Sequence, residues 1–250
     1  MIIRAQGLSF SYDSVPVIRD ASFSVREGML LSILGPNGSG KTTLLKCLNR
    51  VLEPKGGTVL IDGQDTRGPG RAKIAGKLGW VPQHGEASRM KVYDLVLLGR
   101  KPRFGWGPAA IDHELTMSAI RTLGLESLAL RYADELSGGE FQMVQIARAL
   151  ALQPRAVLLD EPTSNLDISN QHRLMRKIGS LVLAGAGAAV MTMHDINLAL
   201  RYSDSFLLLK DGLIHAAGGR EILTPEAIRT VYDMETTVVE AGGYPMVIPV

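Results

Sequence analysis

The sequence is short of several things at once, and each shortage removes a class of protein. Cys47 is the single cysteine in 250 residues. An internal disulfide is therefore excluded, and a thiol set among Leu45, Leu48, Val51 and Leu52 at helical spacing reads as a small buried hydrophobe in a reducing compartment. No sign of charge predominates. The 27 basic and 25 acidic residues are dispersed and leave a net charge of +2, which excludes a basic stripe for nucleic acid. Long apolar runs are missing as well: the most apolar stretch, 181–193, is 13 residues with two glycines, against the roughly 20 needed to span a bilayer. The first twelve residues, MIIRAQGLSFSY, lack the basic region and apolar core of a secretory leader. Internal repeats, low-complexity tracts and coiled-coil heptads are also missing. The expectation is a cytoplasmic protein whose link to any membrane runs through a partner.

What is present suits an ordinary folded domain. Hydrophobic residues make up 46% and charged ones 21%, and the length allows one core carrying a subdomain. Leu8, Phe10 and Tyr12, then Ala21, Phe23 and Val25, alternate with polar residues as half-buried antiparallel strands do. The runs 29–34, 156–160, 188–193 and 206–209 are apolar almost throughout, which marks strands covered on both faces of a largely parallel sheet. Helical patterns over 42–52, 140–152, 170–184 and 195–202 fall between them, so the core is α/β. From 85 to 136 the strand signal disappears, and 92–99 and 111–123 read as helices around the stretch RKPRFGWGP. This predicts a helical subdomain inserted into the core. A closing hairpin is expected where 237–240 and 245–249 flank a Gly-Gly turn.

Two motifs carry chemistry. The strand at 29–34 runs into Gly35-Pro36-Asn37-Gly38-Ser39-Gly40-Lys41-Thr42-Thr43 and then into a helix, the setting required of G-x-x-x-x-G-K-[ST]. Gly35, Gly38 and Gly40 let backbone N–H groups curl round a β-phosphate, and the helix N-terminus adds partial positive charge. Lys41 reaches the β- and γ-phosphates, and the Thr42 hydroxyl suits Mg²⁺. A bare glycine-rich turn would account for the glycines but not for Lys41-Thr42. The second motif is AVLLDEP, an apolar strand ending in Asp160-Glu161 at the carboxyl edge where open α/β sheets bind ligands. Asp160 is a candidate Mg²⁺ ligand and Glu161 a candidate base for the attacking water.

ELSGGEFQ, residues 135–142, contains an S-x-x-E capping box, Ser137 to Glu140, opening the helix at 140–152. Capping has no need of Gly138-Gly139, whereas a helix end that approaches a phosphate does. Here the sequence resembles the ABC ATPase family, whose LSGGE signature stands intact at Leu136–Glu140. The resemblance extends over the whole chain. Tyr12, with Val17 beside it, matches the aromatic that stacks on adenine, and Gln83 matches the glutamine that senses Mg²⁺ and the γ-phosphate. Ser164-Asn165-Leu166-Asp167 matches the D-loop, and His194 the switch histidine. Phe141 and Met143 depart from the arginine and polar residue common after the signature, and Asn165 from a frequent alanine or histidine. His84, His113, His172 and His215 match nothing.

The resemblance implies a P-loop NTPase (RecA-like) core with an N-terminal antiparallel β subdomain and an inserted helical subdomain, the core at 1–84 and 154–250 and the helical signature subdomain at 85–153. It implies ATP and Mg²⁺ as ligands, with Glu161, His194 and Gln83 catalytic and Thr42, Gln83 and Asp160 near the metal. It also implies a head-to-tail dimer in which Ser137, Gly138, Gly139 and Glu140 of one copy cover the nucleotide of the other. VYDLVLLGRKPRFG resembles the ATPases of metal-chelate importers, which carry ferric siderophores, haem, cobalamin or molybdate. Partners would then be membrane permease subunits, with a substrate-binding protein on the other side and the ATPase at the cytoplasmic face. Against that subfamily reading, Arg100, Lys101 and Arg103 could simply solvate a helix end. An ATPase of iron–sulfur assembly and a P-loop kinase are the competing functions; the signature has no role in a kinase.

Overall fold

The structure is a computed structural model describing residues 1–67, 76–83, 85, 88–164, 166–183 and 187–250. Asn165 of the expected D-loop and His84 lie outside the described residues. The strands are β1 (Ile3–Tyr12), β2 (Val15–Val25), β3 (Leu30–Leu34), β4 (Gly56–Ile61), β5 (Gln64–Asp65), β6 (Leu78–Val81), β7 (Ala156–Asp160), β8 (Ala188–Thr192), β9 (Ser205–Lys210), β10 (Leu213–Gly218), β11 (Thr236–Ala241) and β12 (Tyr244–Pro249). The α-helices are α1 (Lys41–Leu48), α2 (Val92–Leu97), α3 (Ala110–Leu123), α4 (Gly138–Ala151), α5 (Ile168–Leu183), α6 (Ile196–Tyr202) and α7 (Pro225–Tyr232).

The alternation at the N-terminus produces an antiparallel sheet of order β2-β1-β4-β5. The apolar runs produce a second sheet, β10-β9-β3-β8-β7-β6, parallel except for β10. All five residues of β3, β7 and β8 are buried, as strands covered on both faces must be. Period two then assigns each side chain to one of two cores. Leu31, Ile33, Leu158, Val190, Leu207 and Leu209 face the antiparallel sheet and α1, together with Leu44, Leu45, Cys47 and Leu48. Leu30, Leu34, Leu159, Met191, Phe206 and Leu208 face the other way, where the helices pack. Each such side chain contributes roughly 1.5–3 kcal/mol on burial. A one-residue slip in any central strand would exchange the two sets.

Helix α1 stops at Leu48, before the expected 52, because Arg50 turns left-handed at φ 56. Helix α4 starts at Gly138, two residues before the expected start, with Ser137 as its N-cap. The turn between β11 and β12 is Gly242-Gly243 with φ 60 and 78, the mirror-image turn such hairpins favour. Among the described residues, β4, β5, β6, β10 and α7 have no counterpart in the sequence reading. β6 is only four residues, and β4 opens on two glycines. Helix α7 was legible in principle: Thr224 caps it and Pro225 is its first residue.

The basic stretch 100–103 is not a solvated helix end throughout. Arg100 is buried and pairs with Asp112 at 2.9 Å, and it also donates to Ala151 O at 3.1 Å. Arg103 donates to Gly76 O at 2.8 Å, while Lys101 is exposed. Gly99 is required by packing, since a Cβ there would lie 2.0 Å from Arg148 O. This segment therefore grips the far end of α4, the helix whose start carries the signature.

Candidate active site

The strand-to-helix turn after β3 explains its own composition. A Cβ on Gly35 would lie 2.0 Å from Leu209 O, and one on Gly40 2.9 Å from Val17 O. Those two glycines are thus demanded by the neighbouring strands as well as by any ligand. Gly38, open to solvent at φ 79, is demanded by backbone conformation. Helix α1 opens with no side-chain cap and no acidic residue in its first turn. Its free N–H groups and positive end therefore point into the loop. The Ser39 hydroxyl is buried without a partner. Lys41 is buried and donates to Gly35 O at 2.8 Å and Pro36 O at 3.0 Å. Burial lowers its pKa, and the carboxylates of Glu161 and Asp160 act against that shift. A cradle of free amides, an orphan hydroxyl and a desolvated ammonium fits an anion with several oxygens.

Beside the loop, the ends of β7 and β8 bring the acidic pair to it. Asp160 is buried, and its Oδ1 accepts from Thr42 Oγ1 at 2.9 Å and from Thr192 Oγ1 at 2.8 Å. Thr192 Oγ1 in turn accepts from the Glu161 N–H at 2.8 Å. Glu161 sits left-handed at φ 47, a conformation that disfavours side chains by about 1–2 kcal/mol and is held by that bond. Its carboxylate is the hub of the site: Gln83 Nε2 donates to Oε2 and His194 Nε2 to Oε1, each at 2.5 Å. The structure thus brings together Gln83, Lys41, Thr42, Asp160, Glu161 and His194.

Among the described residues no cluster of three His, Cys, Asp or Glu could hold a metal on its own. One carboxylate and one hydroxyl, Asp160 and Thr42, are what a Mg²⁺ ion shared with phosphates and water requires. Tyr12, at the end of β1, is 46% exposed and makes a T-shaped contact with Phe10 at 4.9 Å. Val17 is half-buried against Gly40.

The signature residues are not part of this cluster. Ser137 Oγ donates to Glu140 Oε2 at 2.7 Å and the Ser137 N–H donates to the same oxygen at 2.9 Å, completing the capping box. These bonds from Ser137 hold the Glu140 carboxyl below the usual range. Gly138 is open, whereas a Cβ on Gly139 would press on Leu166 at 3.2 Å. Among the described residues, one cleft beside the signature is lined by Ser137 to Glu140 and another by Gly138 together with Gln83, and neither lining includes a phosphate-loop residue.

Thr192 is the site residue that the sequence reading missed. Its signal was a hydroxyl inside an otherwise apolar strand, since a fully buried polar group must find a partner. Two histidines without a match do have partners: His172 Nδ1 meets Tyr202 Oη at 2.8 Å and His113 Nδ1 meets Tyr93 Oη at 2.6 Å.

Comparison with known proteins gives the family. Residues 18–164 match the ABC transporter family. The chain is 48% identical to an uncharacterized ABC transporter ATP-binding protein of Methanocaldococcus jannaschii, covering 100% of this chain and 98% of that one. It is 38% identical to a hemin import ATP-binding protein of Bordetella avium, with 97% of each covered. It is 36% identical to a cobalamin import ATP-binding protein of Halobacterium salinarum, but spans only 60% of that longer protein. A metal-chelate type ABC transporter in an inward-facing conformation superposes with a TM-score of 0.87 at 29% identity, over 100% of this chain and 97% of that one. A dimeric bacterial ABC transporter cassette does so with 0.78 at 27%, over 87% and 98%. With the match spanning more than half of its length, this chain belongs to the ABC transporter ATP-binding family and is an ATPase of the P-loop fold.

Proposed function

We propose that the chain is the ATP-hydrolysing subunit of an importer for a metal-chelate-type cargo, acting as a head-to-tail dimer on the cytoplasmic face of a membrane permease. The observation that carries the chemistry is the single hydrogen-bonded network from Thr42 through Asp160 and Thr192 to Glu161, Gln83 and His194. In this reading Gly35 to Thr43 bind the phosphates of ATP, and Tyr12 with Val17 supports the adenine. Thr42, Asp160 and Gln83 attend Mg²⁺, which when bound neutralises charge on the phosphate oxygens. Glu161 orients the attacking water and accepts its proton at a carboxylate oxygen. His194 and Gln83 hold that carboxylate from either side and are placed to feel whether the neighbouring phosphate is present.

The pairing is supported by the location of Ser137–Glu140 apart from the phosphate loop, with Gly138 open, and by the dimeric cassette of similar fold. ATP would favour the closed pair, and hydrolysis would release it. The cargo class is supported by likeness to the hemin and cobalamin import proteins and to the metal-chelate transporter. No helix among the described residues is long and apolar enough to cross a membrane. Co-purification tests this: a membrane subunit should be retained by the tagged chain, and ATP turnover of the assembly should rise with a metal-chelate-loaded binding protein. Retention of soluble iron–sulfur assembly proteins instead would overturn the transport reading.

A further inference from the structure

The helix that follows His194 is held from outside. α6 has seven residues, too few to keep its position through its own hydrogen bonds. The His194 side chain is 43% exposed, so packing does not place the imidazole. The backbone that carries it must do so, and that backbone leads directly into α6. Asp195 caps the helix through Leu198 N at 2.8 Å. At the far end Tyr202 meets His172 of α5, and Ser203 Oγ meets Ser32 Oγ at 2.6 Å. Between these ends lies Asn197.

The C-terminal hairpin is shaped to take that side chain. In an antiparallel ribbon, alternate residues turn their N–H and C=O outward. Ala241 faces Tyr244 across the two-residue turn, and Val250 N donates to Glu235 O at 3.1 Å. The outward positions of β12 are therefore Pro245, Val247 and Pro249. Proline at 245 and 249 removes two of the three outward N–H groups. The remaining one, on Val247, donates to Asn197 Oδ1 at 2.8 Å, and Asn197 Nδ2 donates to Val247 O at 3.1 Å. The amide side chain pairs with the strand edge as a further strand would, at the one place where the edge has both groups to offer. Val247 is itself buried, and both bonds are partly buried.

We propose that Asn197 is a positioning residue for hydrolysis: by locking α6 to the hairpin it sets where His194 stands relative to Glu161. The hairpin thereby becomes part of the catalytic apparatus, although Val247 lies 50 positions after Asn197. The idea rests on His194 acting at the γ-phosphate site, as proposed above. While Glu161 and His194 are bonded to each other, either can steady the other. Once the carboxylate turns to water, the imidazole has only its backbone for placement.

The test uses the full chain, with ATP turnover measured across MgATP concentrations alongside thermal melting. Asn197→Leu, nearly equal in volume, should lower kcat about 10-fold through misplacement and leave KM within about two-fold. Combined with His194→Ala it should cause no further loss, because both act on one group. Asn197→Asp keeps the acceptor and loses the donor, and should fall between wild type and Asn197→Leu. A folded Asn197→Leu chain with wild-type kcat would overturn the proposal, as would full additivity with His194→Ala. If Asn197→Leu does not fold, Val247→Pro removes the single outward N–H on an edge that already carries two prolines, and wild-type kcat there is equally fatal. Normal turnover in His194→Ala would instead sink the role of His194 itself, a result distinct from loss of the hairpin's part in it.

Discussion

The two faces proposed for nucleotide chemistry differ in how complete they are. Around the phosphate loop, Thr42 and Thr192 share Asp160, and Gln83 and His194 share Glu161, while Lys41 turns to loop carbonyls and the Ser39 hydroxyl has no partner. At the signature, Ser137 and Glu140 bond only locally and cap their own helix, and Gly138 faces open space. The first face is assembled within one chain, although Lys41 must leave its loop carbonyls to meet a phosphate and Glu161 must exchange a bond to Gln83 or His194 to meet water. The second resembles half of an interface. Its hydroxyl is already engaged with Glu140, so binding a phosphate from a second copy requires that bond to be exchanged. The comparison teaches that the two motifs, both rich in glycine, carry it for different reasons: contact with neighbouring strands at Gly35 and Gly40, and clearance at Gly138.

Breaking the hub should have the largest effect. Glu161→Gln should retain ATP binding and lose turnover by at least about 100-fold, with an ATP-bound dimer accumulating in sedimentation. Turnover near wild type would remove Glu161 as the base. Ser137→Arg fills the open face. Turnover should again drop by about 100-fold, while nucleotide affinity of the monomer, read by equilibrium binding, stays within about two-fold. Hydrolysis by that variant as a monomer would end the two-copy reading.

A smaller effect is expected of Thr192→Val, which unties Asp160 from the Glu161 backbone. We expect about 10-fold in kcat and about 1–3 kcal/mol in stability from the orphaned partners, measured by steady-state kinetics and denaturant melts. Arg100→Met leaves Asp112 without its ion partner behind the signature helix. Melting should fall by about 5 °C, with kcat per folded molecule little changed. A loss confined to kcat would show that the helix end is tuned for activity rather than for stability.

The least response should come from Cys47, whose thiol burial pushes up to about 12. Maleimide labelling of the native chain at pH 8 should be negligible and should become complete on unfolding. Because the folded pKa is the higher one, the stability gained by keeping this thiol neutral is whole below the unfolded thiol's pKa. It is lost as pH rises toward the folded value.

Much of this was legible in the chain. The apolar runs of β3, β7 and β8 announced strands buried on both faces, and all of their residues are buried. Ser137 and Glu140 announced a capping box that the structure contains. The reading was weaker where residues have more than one use. Solvation of a helix end was one of two readings of Arg100; it is instead a buried ion pair, whose partner Asp112 lies twelve positions on and belongs to another helix. The strands β4 and β10 passed unread, since short elements with glycine or small residues have little periodicity of their own, whereas α7 does carry a local signal in its Thr224 cap, its Pro225 start and the i,i+3 pair Ile228 and Val231.

By itself, then, the sequence determined the chemistry available: a loop of glycines before Lys41-Thr42, an acidic pair after an apolar strand, and the alternation that sorts side chains onto two faces of a sheet. Those follow from local geometry, where spacing along the chain equals spacing in space. Only the tertiary structure decided that Thr192 ties Asp160 to Glu161, that Leu209 O and Val17 O forbid side chains at 35 and 40, and that Val247 reaches back to Asn197. Each joins residues far apart in sequence, and such contacts exist only after the sheet has set its strand order and the two cores have closed around it.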